Sequence, residues 1–207
     1  MKEWDDITAA VQRIESGGAG SLPDQIQNLE GYSGWKVREL LNFLCSDTGT
    51  IYLEIGVHTG STFIPAMYKN KVTGTAIDNW SLMGNFRPQF EKNLRKYLPR
   101  RKFNILEEDF RTVDLAKMHS SVNVYFYDGD HGRDCHYQAF YRLKPIFADR
   151  FIAVVDDFNW VEPRDETYRS IKDAGMTIEN SVVLPGPYNG SKDAWWNGLF
   201  VGIIRKG

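Results

Sequence analysis

Short apolar runs alternate with helix-like segments along most of this chain, and this alternation limits the folds that it can adopt. Seven runs have the length and composition of buried strands, and segments with helical spacing of apolar residues separate most of them. The predicted strands are residues 50–56, 72–78, 102–109, 122–130, 150–157, 177–186 and 197–206. The predicted helices are residues 34–45, 61–70, 85–97, 112–118, 135–147 and 162–175.

Such alternation favours a doubly wound α/β fold, in which helices cover both faces of a mostly parallel sheet. The last two strands have only a loop between them, so they are predicted to form an antiparallel hairpin at one edge. The sequence therefore predicts a seven-stranded, Rossmann-like sheet in a single domain of residues 35–207. Residues 1–34 are predicted to form a helical lead-in, which the flexible stretch SGGAGS interrupts.

The composition excludes several classes of protein. Hydrophobic residues make up 42% of the 207, enough for a full core, and the net charge of -2 argues against a dedicated binder of nucleic acid or membrane surfaces. The two cysteines, Cys45 and Cys135, lack the spacing of a zinc site. No apolar run is long enough for a membrane span, and the N-terminus lacks the apolar core of a signal peptide. We therefore expect a cytoplasmic protein.

Ligands of doubly wound folds lie beyond the carboxyl ends of the strands, so the residues at those ends matter most. The first strand ends in EIGVHTGS, where Gly56 and Gly60 allow a sharp turn and a close approach to a ligand. The spacing differs from the GxGxxG fingerprint of dinucleotide-binding proteins. Glu54, an acid at the end of a buried strand, indicates a cationic ligand.

Acidic residues also end the next two strands. Asp78 is suited to accept hydrogen bonds from ribose hydroxyls. Asp109 is suited to accept one from an adenine amino group, and the ring of Phe110 to pack on the base. An ordinary turn explains any one of these acids, but acids at the ends of three successive strands indicate a ligand that contains a nucleoside.

These motifs, over about residues 35–205, resemble the class I S-adenosylmethionine-dependent methyltransferases, including their seven-stranded sheet. The resemblance implies that Glu54, Gly56 and Gly60 surround the methionine part of the cofactor. It also implies that Asp78 holds the ribose, and that Asp109 and Phe110 hold the adenine. The other residues expected at the cofactor are His58, Ser61, Asn79 and Asp128.

Three aspartates follow two further strands: Asp128 ends the fourth, and Asp156 and Asp157 end the fifth. If these strands are parallel neighbours, the carboxylates converge, and clustered carboxylates repel unless they share protons or bind a cation. Oxygen ligands favour Mg²⁺ or Ca²⁺. In the alternative interpretation, Asp157 caps a helix and Asp128 belongs to an Asp-Gly turn.

The segments YDGDH and VVDDF resemble those of the metal-dependent O-methyltransferases that act on macrolide and aminocoumarin sugars and, more distantly, of the catechol type. This resemblance implies that Asp128, Asp156 and Asp157 bind Mg²⁺ or another divalent cation. Asp130 and His131 are the two candidate catalytic bases. Asp130 matches the sugar enzymes' motif and is slightly favoured, whereas a histidine is suited to take up a proton near neutral pH.

Aromatic residues in two loops are candidates to stack on a ring of the methyl acceptor. They are Trp80, Tyr188, Trp195 and Trp196. In the alternative interpretation, Trp195 and Trp196 simply pack at the start of the last strand.

The predicted activity is divalent-metal-dependent O-methylation of a small hydroxylated acceptor, such as a sugar or natural product. The alternatives are a metal-independent small-molecule methyltransferase and a non-catalytic protein that retains the fold. Nucleic-acid bases are not the expected acceptors, because YDGD stands where base methyltransferases carry Asn/Asp-Pro-Pro-Tyr. The sequence leaves the oligomeric state open, including a homo-oligomer.

Overall fold

The structure of the chain, a computed structural model, describes residues 1–18, 20–188 and 190–207. Ala19, in the predicted flexible stretch, and Asn189, in one predicted aromatic loop, lie outside the described residues. The strands are β1 (Ile51–Ile55), β2 (Thr73–Ile77), β3 (Asn104–Leu106), β4 (Val122–Tyr127), β5 (Phe147–Val155), β6 (Met176–Leu184) and β7 (Leu199–Lys206). The α-helices are α1 (Trp4–Glu15), α2 (Asp24–Gln27), α3 (Trp35–Leu44), α4 (Phe63–Met67), α5 (Arg87–Tyr97), α6 (Cys135–Tyr141) and α7 (Val161–Asp173).

The order of the strands sets the place where a ligand can bind. The described strands form one sheet in the order β3-β2-β1-β4-β5-β7-β6. β1 to β5 run parallel, and β7 runs antiparallel between β5 and β6. The order reverses between β1 and β4, and in such sheets a crevice for ligands opens at this switch point. The predicted doubly wound fold and the antiparallel C-terminal pair are both confirmed.

Both faces of the sheet are buried, which is why its central strands are almost wholly apolar. Successive residues of a strand face opposite sides, so β4 and β5 contribute to two cores. One core contains Val124, Phe126, Ile152 and Val154, together with apolar residues of α1, α3 and α4. The other contains Tyr125, Tyr127, Ala153 and Val155, together with apolar residues of α6 and α7.

Residues 1–34 pack into the domain. Ile7, Val11 and Ile14 of α1 belong to the same core as α3. The buried guanidinium of Arg38 donates hydrogen bonds to the carbonyls of Gln27 and Leu29, both at 2.7 Å, and to Ser33. These bonds fix the end of the segment against α3, close to the carboxyl end of β1.

Two of the predicted helices, 135–147 and 112–118, show why the bounds of elements differ in the structure. Phe147, which the apolar spacing places in a helix, begins β5 and pairs with Val122. The helix ends earlier because Pro145 lies in a 3₁₀ turn and lacks the N–H that a helix interior needs. The predicted helix 112–118 is only a 3₁₀ turn, Leu115–Lys117, where the Asp114 carboxylate accepts a hydrogen bond from the Ala116 amide. None of the described helices is long and apolar enough to cross a membrane.

Candidate active site

A cavity of about 370 Å³ lies at the carboxyl ends of β1 to β5. The predicted cofactor-binding residues that line it are Gly56, His58, Ser61, Asp78, Asn79, Asp109, Phe110 and Asp128. The predicted bases and cation ligands that line it are Asp130, His131 and Asp157, as well as Asp128. Glu54, Gly60 and Asp156 are not among its lining residues.

Gly56 brings the ends of β1 and β4 together. Its φ of +85° lies in the left-handed region, and a Cβ at this position would overlap the carbonyl oxygen of Asp128. Any other residue would therefore push apart the two strands that flank the switch point. The amide of Asp128 donates to the carbonyl of Ile55 at 2.9 Å, which extends the strand pairing to the edge of the cavity.

Glu54 and Gly60 support the cavity from behind. The Glu54 carboxyl is fully buried and accepts hydrogen bonds from the Tyr52 hydroxyl at 2.5 Å and the Thr62 hydroxyl at 2.6 Å. Burial raises the pKa of Glu54 to about 8, although both hydroxyls act to lower it. Gly60 packs against the ring of Phe90. Both predicted residues thus shape the glycine turn from outside the cavity.

Asp78 holds two loops together on the side of the cavity where the cofactor is predicted to bind. One oxygen accepts a hydrogen bond from the His58 amide at 2.8 Å, and the other accepts one from the Trp80 amide at 2.7 Å. The Trp80 indole N–H in turn donates to the carbonyl of His58 at 2.9 Å. Asp78 therefore locks the loop after β1 to the loop after β2, and its remaining lone pairs are available to ligand hydroxyls.

Asp109 carries a partner that the sequence reasoning did not include. The guanidinium of Arg111 contacts its carboxylate at 2.6 Å, and this bonding lowers the pKa of Asp109. The ring of Phe110 is buried edge-on against Tyr127, with ring centroids 5.5 Å apart. The end of β3 thus offers an apolar ring beside a carboxylate whose charge is already balanced.

Carboxylates converge without balancing cations at the ends of β4 and β5. Ligand atoms of Asp128, His131 and Asp157 all lie within 4.8 Å of one another. Within the described ranges, no lysine or arginine forms an ion pair with Asp128, Asp156 or Asp157, and the one such pair of Asp157 is with His131. Burial, and then the charges of Asp156 and Asp157, raise the pKa of Asp128 well above its usual range.

Asp156 lies under the cavity, and Asp157 is turned towards it. The amide of Asp157 donates to one Asp156 oxygen at 2.8 Å, while the other oxygen has no hydrogen-bond partner in the described part of the chain. Burial, and then the charge of Asp157, raise the pKa of Asp156. Asp157 has a left-handed φ of +57°, a conformation that is uncommon outside glycine and often found at functional sites.

His131 is held on two sides. Its Nε2 lies 2.7 Å from an Asp157 oxygen, and its Nδ1 lies 3.1 Å from Nε2 of His136. His136 is buried on α6, and burial lowers its pKa to about 3, so this partner is neutral at neutral pH. The His131 imidazole is therefore fixed in place beside a carboxylate, at the edge of the cavity.

Asp130, the other candidate base, points elsewhere. One of its oxygens accepts a hydrogen bond from the Gly132 amide at 2.8 Å, and the other lies 3.8 Å from the Arg111 guanidinium. It is not part of the group of ligand atoms that Asp128, His131 and Asp157 form. The two neighbouring residues of the DGDH segment thus face different partners.

Asn197 and Tyr32 line the cavity without any signal in the sequence that indicated them. The side-chain amide of Asn197 donates to the second oxygen of Asp157 at 2.5 Å, from the loop between β6 and β7. Tyr32 comes from the segment before α3, which was read as a lead-in. Only the fold brings these two distant segments to the carboxyl edge of the sheet.

The four loop aromatics have different environments. Trp195 is buried, with 2% exposure, and does not line the cavity, whereas Trp80, with 6% exposure, is buried at the base of its loop and lines the cavity. Trp196 lines the cavity, as does Trp160. Tyr188 is exposed next to Trp160, with ring centroids 6.3 Å apart. Trp195 thus packs at the start of the last strand, whereas Trp196 is partly buried against the same core and also lines the cavity.

The charge of the lining limits what can enter. Six carboxylates and one guanidinium line the cavity: Asp78, Glu108, Asp109, Asp128, Asp130 and Asp157, and Arg111. An anionic ligand such as a phosphate would be repelled by this set, whereas neutral and cationic ligands would not.

The sequence matches no protein-family model and no curated protein. Solved structures do resemble the chain. A Podospora anserina methyltransferase bound to S-adenosylhomocysteine has a TM-score of 0.63 and 13% identity, over 98% of this chain and 88% of its own. The precorrin 8W decarboxylase of Methanobacterium thermoautotrophicum has a TM-score of 0.61 and 18% identity, over 89% of this chain and 98% of its own.

A third structure, a Streptococcus pneumoniae protein in complex with S-adenosyl-L-methionine, has a TM-score of 0.57 and 17% identity. It matches over 83% of this chain and 72% of its own. The chain has the fold of class I S-adenosylmethionine-dependent methyltransferases. At these identities the likeness establishes the fold, so substrate and chemistry have to be argued from the cavity itself.

Proposed function

We propose that the protein transfers a methyl group from S-adenosylmethionine to a hydroxyl of a small, uncharged acceptor, with His131 as the base and a divalent cation at Asp128 and Asp157. The observation that carries the proposal is that one cavity is lined both by Asp78, Asp109 and Phe110, the residues predicted to bind a nucleoside, and by the converging ligand atoms of Asp128, His131 and Asp157. The acidic lining supports an uncharged acceptor.

The residues on the cofactor side fit S-adenosylmethionine. Asp78 has lone pairs left for ribose hydroxyls after it has bound two backbone amides, and Phe110 offers a buried ring at the end of β3. Both line the same cavity as the acceptor-side carboxylates Asp128 and Asp157. When bound, the cofactor supplies a sulfonium methyl group as the electrophile.

The acceptor side fits a divalent cation. Two carboxylates and an imidazole converge there, no lysine or arginine pairs with these carboxylates in the described ranges, and an oxygen of the neighbouring Asp156 lacks a partner. When bound, such a cation supplies positive charge that favours the ionised form of a nearby hydroxyl. Asp128 and Asp157 would hold it, whereas the predicted ligand Asp156 is not among the converging atoms.

The chain's own residues then handle the proton. We propose His131 over Asp130 because its Nε2 lies among the ligand atoms of Asp128 and Asp157, whereas Asp130 contacts Arg111. When His131 takes up the hydroxyl proton, its positive charge lies 2.7 Å from Asp157, and the carboxylate stabilises that charge. Asn197 holds the other oxygen of Asp157, so the carboxylate cannot rotate freely.

A metal-independent methyltransferase is the second candidate. It is favoured by the contact between His131 and Asp157, because a base oriented by a carboxylate can take up a proton without a metal. The His131–Asp157 pair would then act alone.

Formation of S-adenosylhomocysteine reports turnover whatever the acceptor, so it suits a screen of uncharged sugars and phenols with and without EDTA. We expect turnover that EDTA abolishes and Mg²⁺ or Mn²⁺ restores. Asp128→Asn should abolish it, while Asp130→Asn, the matched control from the same turn, should retain it. Turnover that EDTA leaves unchanged would favour the metal-independent candidate. Absence of both turnover and cofactor binding would contradict the proposal.

A further inference from the structure

Three large side chains are exposed at the mouth of the cavity although they line it. Tyr32, Leu82 and Met83 have 51%, 55% and 67% of their surface exposed. We call these three residues the apolar lip. Exposed apolar side chains that are grouped around a cavity, rather than standing singly, are typical of surfaces that bind a ligand.

The backbone holds the lip in its outward position. Trp80 is buried at the base of the loop between β2 and α5, and its hydrogen bond to His58 anchors the loop. Ser81 then bonds the Asn79 side chain through both its amide, at 3.1 Å, and its hydroxyl, at 2.8 Å. Met83 has a left-handed φ of +58°. This fold of the loop directs Leu82 and Met83 to the surface instead of burying them with Trp80.

Aromatic rings continue this apolar surface inwards on the opposite side. The ring of Trp160 lies 5.4 Å from that of His131, and the ring of Tyr188, which is 70% exposed, lies 6.3 Å from that of Trp160. Tyr32 of the lip lies 6.4 Å from Trp196. Rings thus connect the converging ligand atoms with the outer surface.

We propose that the lip receives the apolar body of an amphipathic acceptor, whose hydroxyl end reaches His131 while its alkyl or aromatic portion lies against Tyr32, Leu82 and Met83. This inference rests on the proposed function for the hydroxyl end. The lip carries no charge and the interior is acidic, so an uncharged molecule with a polar end and an apolar end complements the cavity along its whole length. The lip residues then select acceptors by the apolar body that is attached to the hydroxyl end.

Octyl β-D-glucoside and methyl β-D-glucoside test the lip, because they share a polar ring and differ only in the apolar body. Binding is measured by calorimetry on the full chain saturated with S-adenosylhomocysteine, below the micelle-forming concentration. We expect the octyl compound to bind at least about tenfold more tightly. The double variant Leu82→Ser, Met83→Ser should remove the difference, and its titration with S-adenosylhomocysteine checks that the loop after β2 keeps its fold. The control Val183→Ser, at an exposed apolar residue of β6, should retain the difference.

Equal binding of the two glucosides, or no binding of either, would overturn the proposal, as would a double variant that keeps the preference. Sedimentation of the wild type and of the double variant tests whether a second copy of the chain occupies the lip instead. If the wild type were a dimer that the double variant dissociates, the lip would be an interface between copies and the proposal would be wrong. The calorimetric experiment measures binding and not methyl transfer. A chain that binds the octyl compound but never methylates any acceptor therefore contradicts the proposed function alone.

Discussion

The carboxylates on the two sides of the cavity differ in whether hydrogen-bond donors and cations balance them. On the cofactor side, Asp78 is bonded to two backbone amides and Asp109 to Arg111. On the acceptor side, the carboxylates of Asp128, Asp156 and Asp157 lie together, and burial and mutual repulsion raise the pKa of Asp128 and of Asp156. Unpaired buried charge costs stability, and the raised pKa values mean that the fold favours the protonated forms of Asp128 and Asp156 unless a cation binds.

Under the proposed function, this difference corresponds to a division between cofactor binding and chemistry. Satisfied carboxylates form a rigid site whose shape does not change when the ligand arrives, which suits recognition of a fixed cofactor. Unsatisfied carboxylates beside His131 attract a proton or a cation, which suits activation of a hydroxyl. Variants on the two sides should therefore affect different measurements.

The largest effect is expected from His131→Ala. If His131 is the base, the rate of S-adenosylhomocysteine formation should fall by about 10²–10⁴-fold, the range for loss of a general base. Asp130→Asn is the matched variant one residue away and should change the rate only a few-fold at most, on the order of a surface effect. If Asp130→Asn lowered the rate more than His131→Ala did, Asp130 would be the base, and the assignment of His131 to the chemistry would be wrong.

Glu54 combines features of both sides of the cavity. It is buried like the acceptor-side acids, but its carboxyl accepts hydrogen bonds, as the cofactor-side carboxylates do. Its pKa is raised from 4.5 to about 8, so the folded state favours the protonated form. The stability that this group contributes is fully present below pH 4.5 and falls as the pH rises towards 8, by about 4 kcal/mol at the upper end. The side chain of the variant Glu54→Gln cannot ionise, so we expect no loss of stability from this position as the pH rises.

Urea unfolding at pH 5.5, 7 and 8 measures this loss, as a gap between the wild type and Glu54→Gln that widens with pH. Asp109→Asn is the control, because the pKa of Asp109 is lowered by Arg111 and its contribution is lost only on acidification, below this pH range. Parallel stability curves for the wild type and Glu54→Gln would mean that Glu54 is ionised in the fold.

The smallest effect is expected from Arg111→Ala. The ion pair between Arg111 and Asp109 is partly exposed, with 44% and 26% of the side chains accessible. Such pairs contribute about 0–1 kcal/mol to stability, so the melting temperature should change little. A loss well above this range in thermal unfolding would show that the charge balance on the cofactor side is structural.

Much of the architecture could be predicted because it depends on local patterns. Buried parallel strands such as β4 and β5 are continuous apolar runs, and acids at strand ends mark the ligand edge of the sheet, so the fold and the carboxylates of both sides were within reach of the sequence. The end of α6 was missed because Phe147 continues the helical spacing of apolar residues. Pro145 was the signal that the helix stops before it.

The contacts that divide the two sides were out of reach, because they join residues far apart in the chain. Asn197 reaches Asp157 only because β7 lies next to β5, and Tyr32 reaches the cavity only because Arg38 fixes the segment before α3. Which of Asp130 and His131 faces the ligand atoms depends on side-chain direction within one turn. No periodicity in the sequence reports that direction.

Calorimetric titration with S-adenosylhomocysteine tests the central claim most directly, namely that one side of the cavity binds the cofactor and the other performs chemistry. We expect one molecule to bind per chain. Asp78→Ala should weaken binding by about 10–100-fold, since hydrogen bonds to a charged group are lost. His131→Ala should leave the affinity within about threefold, an effect below 1 kcal/mol. No binding by the wild type, or equal weakening by both variants, would contradict the account.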